Sequence, residues 1–132
     1  MEGFPFSHRD GVRFSDVDSR QHVNNSVFST FIEDARLSWF ESGAGADEDP
    51  AVSYRVDMIL ARTEIDFRSE IRYGEEVEVG VRVGRVGTKS ITLEYELRAD
   101  GRLAAEAKSI LVGFDYERGE SAAIPDRWRR RL

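Results

Sequence analysis

The chain has no cysteine. Disulfides, thiolate zinc sites and cysteine nucleophiles are therefore excluded. Histidine is scarce too, with only His8 and His22 present. A zinc site would need carboxylates for most of its ligands, so neither a metal nor another cofactor is expected. No apolar run is long enough for a spanning helix or a signal-peptide core. The expectation is a cytoplasmic protein with no membrane partner. Positive charge is in deficit, with 19 Lys and Arg against 25 Asp and Glu and a net charge of -6. That argues against nucleic acid as a partner, which needs a basic field.

What is present suits a globular protein: 132 residues, 40% hydrophobic and 33% charged. The length fits a single domain over 1–132 and allows a sizeable core. Residues 10–15 (DGVRFS) read as a short strand with Val12 and Phe14 on one face. From Asn25 to about Ser42, Phe28, Phe31, Ile32, Ala35 and Trp39 gather on one helical stripe. Glu33 and Arg36 are spaced to pair on another face, and Gly43 is a stop. Residues 43–50 (GAGADEDP) read as a loop.

The period then changes to two. Ile59, Ala61, Ile65 and Phe67 share one parity within 54–69. Val77, Val79, Val81 and Val83 alternate with polar residues or glycine in 75–83, as do Ile91, Leu93, Tyr95 and Leu97 in 90–98. This is the pattern of half-buried antiparallel strands. Residues 84–90 form a connection and Ala99–Arg102 a tight hairpin. A last strand runs from about Leu103 to Phe114, and Pro125 and Asp126 open a short tail helix. One helix cannot cover both faces of such a sheet. The fold class is α+β, one long central helix wrapped by a curled five-stranded antiparallel sheet.

The densest polar cluster, DVDSRQHVNN at 16–25, stands against the front of the helix. A helix starting near Asn25 presents unpaired N–H groups that carry partial positive charge. They suit a carbonyl oxygen that becomes negative as a tetrahedral centre forms. Asn24 or Asn25 can cap the helix with its side chain, and two in succession leave one spare. Taken singly, Asp16 and Asp18 would only complement the helix dipole. Grouped with His22 on irregular backbone, they set an acid–base group beside an oxyanion site, which acyl transfer needs.

Asp16-x-Asp18, Gln21-His-Val-Asn-Asn25, Phe28-x-x-Phe31 and Glu33-x-Ala-Arg36 together resemble the hotdog-fold acyl-CoA thioesterases of the 4-hydroxybenzoyl-CoA thioesterase type. The resemblance continues through residues 64–79 and ends in Ile124-Pro-Asp-Arg-Trp128. It implies hydrolysis of an acyl-CoA thioester. Asp18 matches the family's catalytic carboxylate, which attacks the carbonyl or activates a water. The backbone N–H of Asn25 falls to the carbonyl oxygen. His22 is left to orient Asp18, to donate to the substrate or to fix the loop, and Asn24 to hydrogen-bond within it. The family's habit assigns the CoA nucleotide to the connection bearing Arg85, Thr88, Lys89 and Ser90, with Arg62 a weaker candidate. Open sheet edges and the resemblance together imply a homodimer or a dimer of dimers, with the pocket between protomers. Gln21 departs from the family, which has glycine there.

Two other readings remain. The motif also resembles acyl-ACP thioesterases, whose acidic carrier would dock on Arg127–Arg131. A non-catalytic acyl-binding module is the other, and Asp18, read as a buried carboxylate, argues against it.

Overall fold

The computed structural model describes residues 1–42, 56–129 and 132. The loop read at 43–50 and the expected start of the second strand at 54 lie outside the described residues. The elements are β1 (Phe6–Gly11), a 3-10 turn (Phe14–Asp16), α1 (Asn25–Ser42), β2 (Val56–Phe67), β3 (Glu76–Val86), β4 (Ser90–Ala99), β5 (Arg102–Asp115), β6 (Glu120–Ser121) and α2 (Asp126–Arg129). The sheet order is β1-β3-β4-β5-β2, and β6 pairs with β5. One main helix with an antiparallel sheet is the fold class read from the sequence.

The first strand is a correction. Residues 10–15 are not a strand: β1 ends at Gly11 and Phe14 begins the 3-10 turn, largely exposed. FSHRDG carries too little apolar alternation to announce a strand. What makes it one is its backbone pairing with β3, from Phe6 opposite Val81 to Gly11 opposite Glu76. One connection is tighter than expected and one is as read. β3 and β4 run on until only Gly87–Lys89 separates them. The β4–β5 hairpin turns on Asp100 and Gly101, both at positive φ (47° and 82°), as a two-residue loop requires.

The chain divides into two compact units. The first comprises Met1–Trp39, Ile65–Arg82 and Tyr95–Ala107. Its core joins the helical stripe Phe28, Phe31, Ile32 and Ala35 to Val77, Val79, Val81, Tyr95, Leu97 and Ala99, all buried. Each large apolar side chain fully buried here stabilises by about 1.5–3 kcal/mol, so the stripe fixes where the helix begins. Arg36, read as pairing with Glu33 on another face of the helix, is buried.

The second unit comprises Phe40–Glu64, Val83–Glu94 and Lys108–Leu132. Ile91, Leu93, Leu111 and Ile124 are buried in it, and Phe40 packs edge-on against Trp128 at 5.0 Å. The tail fastens the β3–β4 turn: Arg129 Nη2 donates to the carbonyls of Gly87 (2.7 Å) and Thr88 (2.8 Å). The Ile124 N–H donates to Thr88 as well, at 3.0 Å.

β1 and β2 are the two edges of the sheet order. β2 is the longer, exposed from Leu60 to Glu64 and again at Asp66 and Phe67. A long edge strand offers unpaired N–H and C=O groups to another chain, and two-fold pairing satisfies both copies at once. Self-association into a homodimer or a dimer of dimers is therefore expected. Light scattering at micromolar concentration checks it, and a monomer there would remove the edge-pairing idea.

Candidate functional site

The opening cluster folds as a small hairpin. Val17 and Val23 form a bridge. The Asp18 N–H donates to the His22 carbonyl at 2.9 Å, and the Gln21 N–H donates back to Asp18 at 3.0 Å. Gln21 closes the loop at φ 66°, the left-handed position that ends a three-residue hairpin loop. A second segment holds the hairpin from the side. Val23 N–H reaches the Ile71 carbonyl at 2.7 Å, His22 bridges Arg72, and Tyr73 N–H reaches the Gln21 carbonyl at 3.3 Å.

The two aspartates part company. Asp16 is buried, and its carboxylate accepts from Arg13 N–H (2.8 Å) and from the Arg13 guanidinium (3.2 Å). Its carbonyl accepts the Asn24 N–H at 2.9 Å. Asp18 is exposed, which corrects the reading of it as the buried carboxylate. Its Oδ1 accepts from the N–H groups of Arg20 (2.9 Å) and His22 (3.2 Å). The Arg20 N–H holds its carboxyl below the usual range, and the His22 N–H and nearby positive charge add to that against partial desolvation. With both amides on Oδ1, Oδ2 is available to a substrate.

The two asparagines also divide the work. Asn24 Oδ1 accepts from Ser26 N–H and Ser26 Oγ–H, both at 3.0 Å. The Asn24 carbonyl accepts the Val27 N–H at 2.9 Å. Asn24 is thus the cap. Of the first three helix amides, the second and third are satisfied by it. Among the described residues nothing accepts from the N–H of Asn25, the first.

These groups line one open cleft of about 510 Å³, formed by Asp18, His22, Val23, Asn24, Asn25, Phe28, Phe67, Arg68, Ser69 and Glu70. That volume is in the range of small-molecule sites. Phe28 and Phe67 supply its apolar wall, edge to face at 5.0 Å. All four sequence-assigned catalytic candidates meet here.

Glu70 is the residue that sequence reasoning missed. Its Oε2 lies 2.9 Å from His22 Nε2, and its Oε1 accepts from Arg72 Nε at 2.8 Å and from Arg72 Nη2. The Arg72 guanidinium, foremost, holds the Glu70 carboxyl below its ordinary range. Glu70 and His22 lie far apart in sequence, so no spacing announces the pair. Of the roles open to His22, its ring engages Glu70, and Asp18 receives its backbone N–H.

The nucleotide candidates do not form one set. Arg62 and Arg85 line a separate cavity of about 290 Å³ with Lys108, Thr92, Ile110, Glu64 and Glu94. Thr88, Lys89 and Ser90 are not among its lining residues, and Arg62 is paired with Glu64. Lys108 is a cation to which the sequence reading gave no role. Among the described residues, no group of three His, Asp or Glu side chains is placed to hold a metal ion.

The sequence matches the Thioesterase-like superfamily over residues 12–132. A thioesterase from Thermus thermophilus, solved with coenzyme A and zinc, is 36% identical. It superposes with a TM-score of 0.85 over 100% of this chain and 94% of that one. A predicted thioesterase from Bacillus stearothermophilus is 28% identical, with a TM-score of 0.84 over 96% and 92%. The Bacillus subtilis (strain 168) protein YsmA is 25% identical over 130 residues, 98% of this chain and 86% of that protein. The zinc of the Thermus protein has no counterpart cluster among the described residues, so no step is assigned to a metal.

Gln21 supplies a test of the loop. A side chain with a Cβ pays about 1–2 kcal/mol in the left-handed region, most for β-branched residues. Gln21 already carries that cost, so Gln21→Val should lower stability only by the added penalty of β-branching, about 1 kcal/mol or less in a denaturant titration, whereas Gln21→Gly should not lower it. A neutral valine would mean that the loop is not held in this conformation.

Proposed function

Because the chain belongs to the thioesterase-like superfamily, we propose that it hydrolyses an acyl-CoA thioester to the free acid and CoA in the cleft around Asp18. One observation carries this reading. A carboxylate with a free oxygen and a helix amide with no acceptor line the same cleft. The thioester oxygen accepts from Asn25 N–H, which strengthens its hold as charge develops on that oxygen. Asp18 Oδ2 either bonds to the carbonyl carbon, expelling CoA thiolate and leaving an anhydride for water to open, or takes a proton from the attacking water. His22, its ring held by Glu70, lines the same cleft. Asn24 contributes by closing the helix turn.

CoA is preferred over a carrier protein for a specific reason. The basic dock proposed for a carrier was Arg127–Arg131. Arg129 is committed to the Gly87 and Thr88 carbonyls, while the side chain of Arg127 and residues 130 and 131 lie outside the described residues. Cations of the second unit suit phosphates instead: Arg62, Arg85 and Lys108 around the smaller cavity, with Thr88, Lys89 and Ser90 at the neighbouring turn. The Thermus relative solved with coenzyme A supports the choice of carrier.

Asp18→Asn should fold normally and lose about 10²–10⁴ in kcat, the usual weight of a positioned acid–base group. Asp16→Asn should instead lower stability, since it loosens a buried contact to Arg13. The lowered Asp18 carboxyl stays ionised down through the ordinary carboxylate range. Its protonation should therefore remove activity only below about pH 4. Steady-state rates from about pH 3 to 9 on a panel of CoA thioesters measure both. Near wild-type turnover by Asp18→Asn would end the assignment and leave acyl binding without hydrolysis.

The nucleotide contacts are tested separately. A phosphate contact remote from the carbonyl binds ground and transition states alike, so its loss raises KM and spares kcat. Arg85→Ala with Lys89→Ala should raise KM several-fold for CoA thioesters, since exposed charge pairs are worth about 0.2–1 kcal/mol each. The same acyl group on N-acetylcysteamine should be unaffected. Equal weakening of both would show that these residues support the fold and not CoA.

A further inference from the structure

We propose that Arg102, at the start of β5, is a positioning residue for the cleft: its guanidinium sets Glu70, and through Glu70 the ring of His22. This rests on the proposed role of the cleft. Four hydrogen bonds from a single side chain carry it. Nη1 donates to Glu75 Oε2 at 3.0 Å, and Nη2 donates to Glu75 Oε1 at 2.9 Å. Nη2 also donates to the Glu70 carbonyl at 2.7 Å, and Nε to Ser69 Oγ at 3.3 Å. The fork to Glu75 is bidentate, the geometry in which an arginine holds a carboxylate best.

The connection between β2 and β3 is what these bonds hold. It has no secondary-structure ladder of its own over Glu70, yet it must present the Glu70 carboxylate to His22 within hydrogen-bond distance. Ser69 is tied a second time, its Oγ–H donating to the Leu103 carbonyl at 2.7 Å. Glu75 is also used twice, since its Oε1 accepts the Arg72 N–H at 2.6 Å. Arg72 in turn donates to Glu70. Arg102 therefore fixes both the backbone of Glu70 and, by way of Glu75, the arginine that holds its carboxylate. The mutual Arg102–Glu75 contact, foremost, lowers the Glu75 carboxyl and raises the Arg102 guanidinium, as an intact pair requires.

Arg102 is exposed, but the Glu75 side chain it holds is only 13% exposed, so loss of the fork also costs some stability. The fork's value to the cleft lies in geometry, because a displacement of about 1 Å in a supporting group costs on the order of 10²-fold in rate. Arg102→Met keeps the stem and removes the fork. Arg102→Lys keeps the charge and also removes the fork, so it should fail in the same way. Either should lower kcat by about 10–100-fold, leave KM within a few-fold, and lower Tm without unfolding the protein at assay temperature.

Two readouts separate positioning from a general structural effect. The first is the ring nitrogen spectrum of His22 at pH 8.5. The chain has only two histidines, and His8→Gln assigns the signals. Wild type should show the Nε2-protonated ring that donates to Glu70. Arg102→Met and Arg102→Lys should show the same tautomer mixture as Glu70→Gln. The second is a double-mutant cycle, in which Arg102→Met should cost nothing further in kcat once Glu70→Gln is present. An unchanged His22 spectrum in both Arg102 variants, or losses that multiply in the double variant, would overturn the proposal. The spectrum needs no substrate. A wild-type protein inactive on all thioesters would sink the reading of the cleft, while the His22 signals would still decide the role of Arg102.

Discussion

The cleft depends on how the first turn of α1 is closed. A helix begins with amides that have no partner within it, and a cap must choose which of them to satisfy. Asn24 takes the amides of Ser26 and Val27 and leaves that of Asn25. Asn24 is itself placed by Asp16, whose carbonyl accepts its N–H, and Asp16 is pinned by Arg13. The buried aspartate thus acts at a distance. It does not face the cleft, yet it fixes the residue that decides which helix amide stays open.

A second constraint sets the other side. The hairpin carrying Asp18 closes on Gln21 in a conformation that glycine adopts without strain. The bridges to residues 71–73 over-determine that loop, so a residue with a side chain is tolerated. The hairpin also explains why Asp18 can serve both fold and chemistry. One carboxylate oxygen caps the loop amides, and the other is left over.

Much of this was legible in the sequence. The helix from Asn25 to Ser42, the alternation of β3 and β4 and the Asp100–Gly101 turn all follow from local rules. So does the grouping of Asp18, His22, Asn24 and Asn25. What was not legible depends on pairing at long range. β1 has no pattern of its own and exists through β3. Asp16 and Asp18 share a motif and a residue type, and their opposite burial appears only once Arg13 folds back on one of them. Glu70 reaches His22 because two remote segments bridge, and Arg102 reaches Glu75 and Glu70 because the β4–β5 hairpin returns beside the β2–β3 connection. The nucleotide donors fail as a set for a related reason. Four of them share one connection in sequence, but Arg85, near the end of β3, lines a cavity that Thr88, Lys89 and Ser90 do not line.

Two carboxylates and a developing oxyanion in one cleft pose an electrostatic problem, since like charges at close range disfavour each other. The arrangement answers it by giving each anion separate donors. Asp18 has the amides of Arg20 and His22. Glu70 has the guanidinium of Arg72, with Arg102 behind it. Neither draws on the helix end. The amide of Asn25 and the positive end of α1 are therefore left to the charge that the proposed reaction creates, and that charge arises where no standing anion competes for the same donor. A cap that took the first amide, or a Glu70 free to swing toward the helix, would forfeit this separation. On this argument the catalytic value of the site lies less in any single carboxylate than in the neighbours that keep each one occupied elsewhere.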